Sequence, residues 1–150
     1  MTALKTLAVG ADHAGYALKN ELAQAGRDAG WNIIDCGTDG PRAVDYPDFA
    51  HEVARRIEAG DATLGLLVCG SGIGMAIAAN RHSGVRCAQA HDATEARLSR
   101  MHNNANVLAL GARLIGPAIA LDALRAFLST EYEGGRHDKR LAKLKPESTQ

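Results

Sequence analysis

This 150-residue chain lacks the cysteine pairs, the excess charge and the long hydrophobic runs that mark several protein classes. It has three cysteines and no CxxC, which argues against a disulfide framework and a zinc knuckle. Seventeen basic and seventeen acidic residues cancel, which argues against general attraction to nucleic acid or to an anionic membrane. With no signal peptide expected and no apolar run of membrane-spanning length, we expect a soluble, cytoplasmic protein.

What the chain does contain is a regular alternation of short apolar runs and amphipathic segments, without repeats, low-complexity segments or linkers. Such alternation is typical of βαβ units and a parallel sheet. We expect an α/β fold: a Rossmann-like, doubly wound, five-stranded parallel sheet with helices on both faces and a basic C-terminal helical extension. A single domain is expected over 1–145, with a flexible tail at 146–150. The strands are predicted at 5–10, 31–36, 64–69, 85–90 and 106–110.

Helix boundaries follow from capping residues and apolar periodicity. Asp48 is predicted to cap the second helix, and Asp92 the fourth, with Glu95 completing a capping box. The first and last main helices are predicted to bury these residues: Leu18, Leu22, Ala25 and Ala29 in the first; Ala120, Ala123, Leu124, Phe127 and Leu128 in the last.

Cys69 is the most informative residue, because it ends a buried strand and begins a glycine-rich turn, Gly70-Ser71-Gly72-Ile73-Gly74. Unpaired amides at the start of the helix that follows can bind an anion, and the same field favours a thiolate. One segment thus offers an anion cradle beside a base or nucleophile. A tight turn with a structural cysteine is the simpler alternative.

The residues in and after this loop exclude three familiar phosphate-binding motifs, two of them through Met75. A GxGxxG fingerprint needs glycine at this position, and a phosphatase-type loop needs arginine there. No Lys-Ser or Lys-Thr pair follows the glycines, which excludes a P-loop. The chain is therefore expected to have a general anion-binding loop with a cysteine at its edge.

Other candidates have simpler explanations beside the functional one. Asp12 is expected to cap a helix, whereas His13, at a strand end, is a candidate site residue. The end of the fourth helix should stabilise a protonated His102, which suits a proton donor, although a helix-capping histidine is equally consistent. Arg136 and Arg140 lie one helical turn apart and could converge on one anion, or form a solvated basic face. Cys36 and Cys87 are expected in the core; His51, His82 and His91 have no metal-ligand spacing.

These segments together resemble the ribose-5-phosphate isomerase B family, whose relatives include galactose-6-phosphate isomerase subunits. The resemblance runs from about Leu7 to Leu144. Its motifs are Gly10-Ala-Asp-His-Ala-Gly15, Asp45-Tyr-Pro47, Cys69-Gly-Ser-Gly-Ile-Gly74, Ile77-Ala-Ala-Asn80, His102-Asn103, Asn106-Val-Leu, Gly111-Ala-Arg113 and Tyr132-Glu-Gly-Gly-Arg-His137.

The resemblance implies an aldose–ketose isomerase of a sugar phosphate that needs no metal or organic cofactor. It implies that Cys69 is the base, because the glutamate that serves in another branch of the family is replaced by Met75. The resemblance also implies that Ser71 assists proton movement between the two oxygens, that His102 opens the sugar ring, and that the amides of Gly70 to Gly74 bind the enediolate. It implies that Asp12 and Asn103 contact sugar hydroxyls. The implied phosphate ligands are His13, Arg136 and Arg140, and Arg113 is also expected in the site.

Family members are homodimers or homotetramers with sites built from two chains, so the resemblance implies a partner copy. Ribose 5-phosphate is the expected substrate; erythrulose 4-phosphate, allose 6-phosphate and galactose 6-phosphate are alternatives. A non-catalytic sugar-phosphate-binding module is a second class. A thiol redox protein is disfavoured, because Cys69 has no resolving cysteine nearby in sequence.

Overall fold

The structure, a computed structural model, describes residues 5–147. Five parallel strands form the sheet, as the sequence predicted, and they pair in the order β2-β1-β3-β5-β4. The elements are β1 (Thr6–Ala11), α1 (Tyr16–Asp28), β2 (Asn32–Asp35), α2 (Tyr46–Glu58), β3 (Leu64–Cys69), α3 (Ile73–Ala79), β4 (Cys87–Gln89), α4 (Ala93–Asn103), β5 (Val107–Gly111), α5 (Pro117–Ser129), a 3₁₀ turn (Gly135–His137) and α6 (Asp138–Ala142).

The sheet separates two hydrophobic cores. Helices α1, α4 and α5 cover one face, in a core that includes Leu22 and Phe127. Helices α2 and α3 cover the other face, where Val53 and Met75 are fully buried. β3 lies at the centre, and all six of its residues are buried. The helices therefore lie on both faces, and the chain folds as a doubly wound α/β structure.

Helix α1 differs from the sequence expectation in its buried face. Ala25 is half-buried and Ala29 is exposed, because the helix ends at Asp28. Lys19 is buried instead, with 1% of its side chain exposed. Its Nζ donates 2.8 Å hydrogen bonds to the Asp35 carboxylate and to the Thr38 carbonyl, which offset the desolvation of its charge. The spacing of apolar residues along the helix cannot predict a buried, charged side chain such as Lys19.

Of the two helix caps predicted from the sequence, the structure confirms Asp92 but not Asp48. Asp92 caps α4 as predicted, since its Oδ1 accepts the Glu95 N–H at 2.8 Å; the Glu95 carboxylate, however, lies 3.1 Å from His91 Nδ1. Asp48 is not a cap: α2 begins at Tyr46, with Asp45 as its N-cap. Pro47 explains the earlier start, because proline fits the first turn of a helix. In α5, Leu128 is half-buried, whereas the other four predicted residues are buried.

The strands run in one direction, so the sheet has a carboxyl edge and an amino edge. Helices α4 and α5 run back antiparallel to the strands and end at the amino edge. The C-terminal segment continues from there: the Glu133 N–H donates to the Met101 carbonyl at 3.1 Å, near the end of α4. Of the predicted tail, residues 148–150 lie outside the described part. Within residues 5–147, the structure has no helix with the length and hydropathy of a membrane span.

Candidate active site

Cys69 lies at the carboxyl edge of the sheet, directly below the glycine-rich loop. Its Sγ accepts a hydrogen bond from the Gly72 N–H at 3.1 Å, and the residue is 4% exposed. The helix after the loop, α3, has only seven residues, so the donor that acts on the sulfur is a loop amide rather than a long helix dipole. Met75 is fully buried and faces the core. The sulfur is therefore the reactive group that this loop presents.

The loop is fixed by close backbone contacts with β5. Gly72 has a φ of +79°, which glycine adopts without strain. A Cβ on Gly111 would lie 2.6 Å from both the carbonyl carbon and oxygen of Ser71, so β5 and the loop touch without space for a side chain. The Ser71 hydroxyl accepts the Ile73 N–H at 3.2 Å. These contacts hold the loop close against β5 before any ligand binds.

The end of β1 adds two polar side chains beside this loop. The sequence predicted Asp12 as a helix cap, but Asp12 is not the N-cap of α1, because the helix begins later and its N-cap is Gly15. Asp12 Oδ1 accepts the Ala14 and Gly15 amides at 2.9 and 3.1 Å, so it fixes the turn before α1. His13 is exposed, and its Nδ1 accepts the Val44 N–H at 3.2 Å. An imidazole that accepts through Nδ1 keeps its proton on Nε2, which leaves His13 a free donor.

Arg113 follows β5 and brings a cation to the same edge. Its N–H donates to the Gly70 carbonyl at 3.0 Å, and its guanidinium lies over Gly70, 3.5 Å from where a Cβ would be. The side chain is exposed. Five predicted site components thus come together, and we call them the loop half: Asp12, His13, Cys69, the loop Gly70–Gly74, and Arg113.

The other four predicted residues lie at the opposite edge of the sheet, and we call them the terminal half: His102, Asn103, Arg136 and Arg140. Gly65 pairs with Val107 and Cys69 pairs with Gly111, so four residues of strand, roughly 13 Å, separate the two edges. Arg136 belongs to the 3₁₀ turn and Arg140 to α6, and both are exposed. One copy of the chain does not bring the two halves together.

His102 stacks on a residue that sequence analysis did not single out. The rings of His102 and His137 lie 4.6 Å apart between centroids, at an interplanar angle of 21°. His137 is 7% exposed, and its Nε2 is 3.4 Å from Glu133 Oε2 without forming a hydrogen bond. Ligand atoms of these three residues lie within 4.8 Å of one another. A metal ion lies in the plane of each imidazole that binds it, so one ring would have to leave the stack for both to share an ion.

The remaining cysteines are Cys36, which follows β2, and Cys87 of β4, which lines a groove together with Asn103. Burial raises the pKa of Cys36 to about 11, with Glu52 adding to the effect, and burial raises the pKa of Cys87 to about 12. Both are partly buried residues packed against the α2–α3 core, as the sequence predicted. At neutral pH they are thiols, which leaves Cys69 as the distinctive sulfur.

Two further residues contact the loop half, and sequence analysis did not assign either of them to the site. The ring of Tyr46, at the start of α2, touches Gly74 so closely that a Cβ there would clash. Gln89 ends β4, and its Nε2 donates to the Ser71 carbonyl at 3.0 Å. Gln89 could have been predicted from its position, because it is a polar residue at the carboxyl end of a strand, where doubly wound folds place their sites.

Comparison with known proteins shows the family of the chain. A family model described as Ribose/Galactose Isomerase matches residues 7–144. Ribose-5-phosphate isomerase B of Escherichia coli is 41% identical over 138 residues, covering 92% of this chain and 93% of that protein. D-erythrulose-4-phosphate isomerase of Pectobacterium atrosepticum is 41% identical over 141 residues, covering 93% and 92%.

Solved structures extend the match to the fold. The ribose-5-phosphate isomerase B of Clostridium thermocellum superposes with a TM-score of 0.91 at 44% identity, over 92% of this chain and 93% of that one. That of Trypanosoma brucei superposes with a TM-score of 0.91 at 42% identity, over 94% and 97%. The chain therefore belongs to the ribose/galactose isomerase family and is an enzyme, an aldose–ketose isomerase of sugar phosphates.

Proposed function

We propose that the chain interconverts D-ribose 5-phosphate and D-ribulose 5-phosphate through a cis-enediolate, with Cys69 as the base. The observation that carries the proposal is the position of its sulfur, which ends the central strand under the Gly72 N–H and next to the exposed Arg113. An abstracted proton and a developing oxyanion need such a base and such donors side by side.

The reaction requires two proton movements. The Cys69 thiolate takes the proton from C2 of the open-chain aldose and returns it to C1 of the enediolate. A second proton passes from O2 to O1, beside the hydroxyl of Ser71. Amides of the loop Gly70–Gly74 stabilise the oxyanion, and each such preorganised donor is worth about 10²–10³ in rate.

Phosphate recognition uses donors from both halves. His13 contributes its Nε2–H, and Arg113, Arg136 and Arg140 contribute their guanidinium groups. Asp12 and Asn103 contact sugar hydroxyls. His102 donates the proton that opens the furanose ring. Binding energy from the remote phosphate positions the reacting carbons against Cys69.

The two halves form one site when two copies of the chain associate. The outer side of α3 carries Ile73 and Ile77, which are 51% and 56% exposed and lie one turn apart. α3 runs from the loop half toward the groove that Asn103 and Leu141 line near the terminal half. If α3 packs against its copy across a two-fold axis, the loop half of each copy meets the terminal half of the other. We propose a homodimer, or a tetramer built from it, with its sites at this interface.

The carbon number of the substrate depends on the distance between the base and the phosphate ligands. The relatives that act on a five-carbon and a four-carbon sugar phosphate by name are both 41% identical to this chain. Overall identity therefore does not select between them. The candidates to compare with ribose 5-phosphate are erythrulose 4-phosphate, allose 6-phosphate and galactose 6-phosphate.

An isomerase assay across this panel tests the proposal. We expect the highest kcat/KM for ribose 5-phosphate, and we expect Cys69→Ala to lose at least about 10³-fold in kcat while calorimetry still detects substrate binding. Cys36→Ser is the matched control, and it should keep wild-type turnover. Near-normal turnover by Cys69→Ala would refute the mechanism. Binding of ribose 5-phosphate without turnover of any sugar in the panel would instead favour a non-catalytic binding module.

A further inference from the structure

The peptide between Ser71 and Gly72 makes two hydrogen bonds of opposite direction. Its N–H, on Gly72, donates to Cys69 Sγ at 3.1 Å. Its carbonyl, on Ser71, accepts from Gln89 Nε2 at 3.0 Å. In a planar trans peptide the N–H and the C=O point in opposite directions, so fixing the carbonyl also aims the N–H.

Nothing in the regular secondary structure fixes this peptide. It lies between β3 and α3, and Gly72 has a φ of +79°. Because glycine populates positive and negative φ about equally, rotation of the Ser71–Gly72 peptide carries no intrinsic steric cost at Gly72. The bare Cα of Gly111 allows β5 to approach the same peptide, but a van der Waals contact does not choose between its two faces.

The direction of this peptide determines what the sulfur faces. In the observed orientation, an N–H donor points at Sγ and supports the anionic sulfur. In the reversed orientation, the Ser71 carbonyl oxygen would face it, and two groups with negative partial charge would repel. The Gln89 amide stabilises the first orientation through the hydrogen bond that its Nε2 donates to the Ser71 carbonyl. The reversed orientation loses this bond, and the amide would have to turn its Oε1 toward the Gly72 N–H while the Ser71 carbonyl faces the sulfur.

We infer that Gln89 is a positioning residue for the base: through the Ser71–Gly72 peptide, its side chain holds an N–H donor on the sulfur of Cys69. Gln89 does not touch the reacting atoms, and it acts across the edge of the sheet from β4. The inference rests on the proposed role of Cys69, but its test includes a measurement that needs no turnover.

The first measurement is the pH dependence of Cys69 alkylation by iodoacetamide, quantified by mass spectrometry of the Cys69 peptide. Gln89→Met keeps the length of the side chain and removes the donor. Hydrogen bonds to charged groups are strong, so we expect the half-maximal pH of Cys69 alkylation to rise by about one unit. Gln89→Glu should raise it at least as far, since a carboxylate cannot donate at neutral pH and adds negative charge.

Two controls separate positioning from a general loss of structure. Gln24→Met removes an exposed amide of α1 that donates to Asp28, and it should leave the Cys69 profile unchanged. Cys36 and Cys87, whose pKa values are raised to about 11 and 12, should remain slow to react below pH 9 in every folded variant. A variant that reacts quickly at all three cysteines is unfolded, and the other Gln89 variant then decides the test.

The second measurement is steady-state turnover. We expect Gln89→Met to lower kcat about tenfold with KM unchanged, because the substrate contacts remain and only the base is affected. The inference is overturned if both folded Gln89 variants alkylate Cys69 with the wild-type pH profile. Failure of the proposed function looks different: wild-type protein and Cys69→Ala would then give equal turnover, whatever the alkylation profiles show.

Discussion

The loop half and the terminal half are built in contrasting ways. The loop half is rigid, since Cys69 is buried, the Gly111 backbone touches Ser71, and hydrogen bonds occupy the Gly72 and Ile73 amides. The terminal half is open. Its arginines are exposed on short helical turns beyond α5, and His102 is held by stacking on His137. Roughly 13 Å of strand separate them.

This contrast matches the division of the proposed chemical roles between the two halves of one chain. Stabilising an enediolate requires donors fixed to within a fraction of an ångström, which the sheet edge provides. In the proposed mechanism, phosphate binding requires positive charge at a larger distance, which the exposed Arg136 and Arg140 supply, and ring opening requires His102. We propose that the terminal half meets the loop half of a second copy.

The largest expected effect is on ring opening, a chemical step that we assign to the terminal half. His102→Ala should lower kcat/KM for ribose 5-phosphate by about 10²-fold, because it removes the acid that opens the furanose. Erythrulose 4-phosphate cannot close a furanose ring, because its carbonyl is at C2 and a five-membered ring would need an O5 that a four-carbon sugar lacks. We therefore expect the same variant to keep wild-type turnover of that sugar, whereas Cys69→Ala loses both activities. Parallel assays with the two substrates check this, and equal losses in His102→Ala would contradict the ring-opening role.

The arginines of the terminal half should affect binding more than chemistry. Arg136→Ala and Arg140→Ala should each raise KM about tenfold or more, with a smaller change in kcat, because each loses a charge-assisted contact to phosphate. Lys139→Ala removes a neighbouring charge on the same turn and is the matched control. Michaelis–Menten kinetics measures the effect. A similar rise in KM for the lysine variant would indicate general electrostatic attraction instead of specific contacts.

Rigidity of the loop half is tested at Gly111. Gly111→Ala places a methyl group against the Ser71 backbone, and such overpacking typically costs about 1–3 kcal/mol of unfolding free energy. We expect a lower kcat as well, since the loop must shift away. Gly116→Ala is the control, because nothing lies within 4 Å of a Cβ there. Urea denaturation and turnover measure both effects, and equal behaviour of the two variants would show that the loop tolerates movement.

The smallest expected effect concerns the segment after α3, where His82 and Gly84 contact Glu58. Glu58 accepts from Gly84 N–H at 3.0 Å and lies 2.9 Å from His82 Nδ1; the hydrogen bond with His82, followed by that with Gly84, lowers the pKa of Glu58. A lowered folded-state pKa stabilises the fold above the unfolded value, about 4.3, and this is lost as pH falls through the folded value.

Glu58→Gln should therefore have a lower Tm than wild type at pH 6–8, and the gap should narrow below about pH 4.3. Thermal melts across this pH range measure the gap. Glu21→Gln, on the outer side of α1, is the matched control and should show a constant difference. A gap for Glu58→Gln that is independent of pH would mean that the carboxylate charge plays no part.

Much of the fold was predictable because its signals are local. The strand ends at Cys69, the cap at Asp92 and the buried face of α5 depend on nearby residues, and the structure confirms them. The start of α2 was predicted at the wrong aspartate, since Asp45 and Asp48 both fit the capping pattern. Lys19 was missed because its partners, Asp35 and the Thr38 carbonyl, are distant in sequence.

The sequence indicated which predicted residues gather at the loop half, but not that the other candidates lie at the opposite edge of the sheet. Cys69, His13 and Arg113 follow strand ends, and parallel topology brings such residues together. For His102 and Arg136, the direction of α4 and α5 places them at the other edge. Gln89 and His137 depend on contacts with Ser71 and His102, which no spacing in the sequence reveals.

The most direct test of the account combines one defective half from each of two chains. Cys69→Ala and His102→Ala chains, each expected to keep at most about 1% of the wild-type activity toward ribose 5-phosphate, are co-expressed with different tags and purified as the mixed species. A mixed pair contains one site with Cys69 from one chain and His102 from the other, so we expect about half of the wild-type activity per pair. If the mixed species is no more active than its parents, each site lies within one chain and the account is wrong.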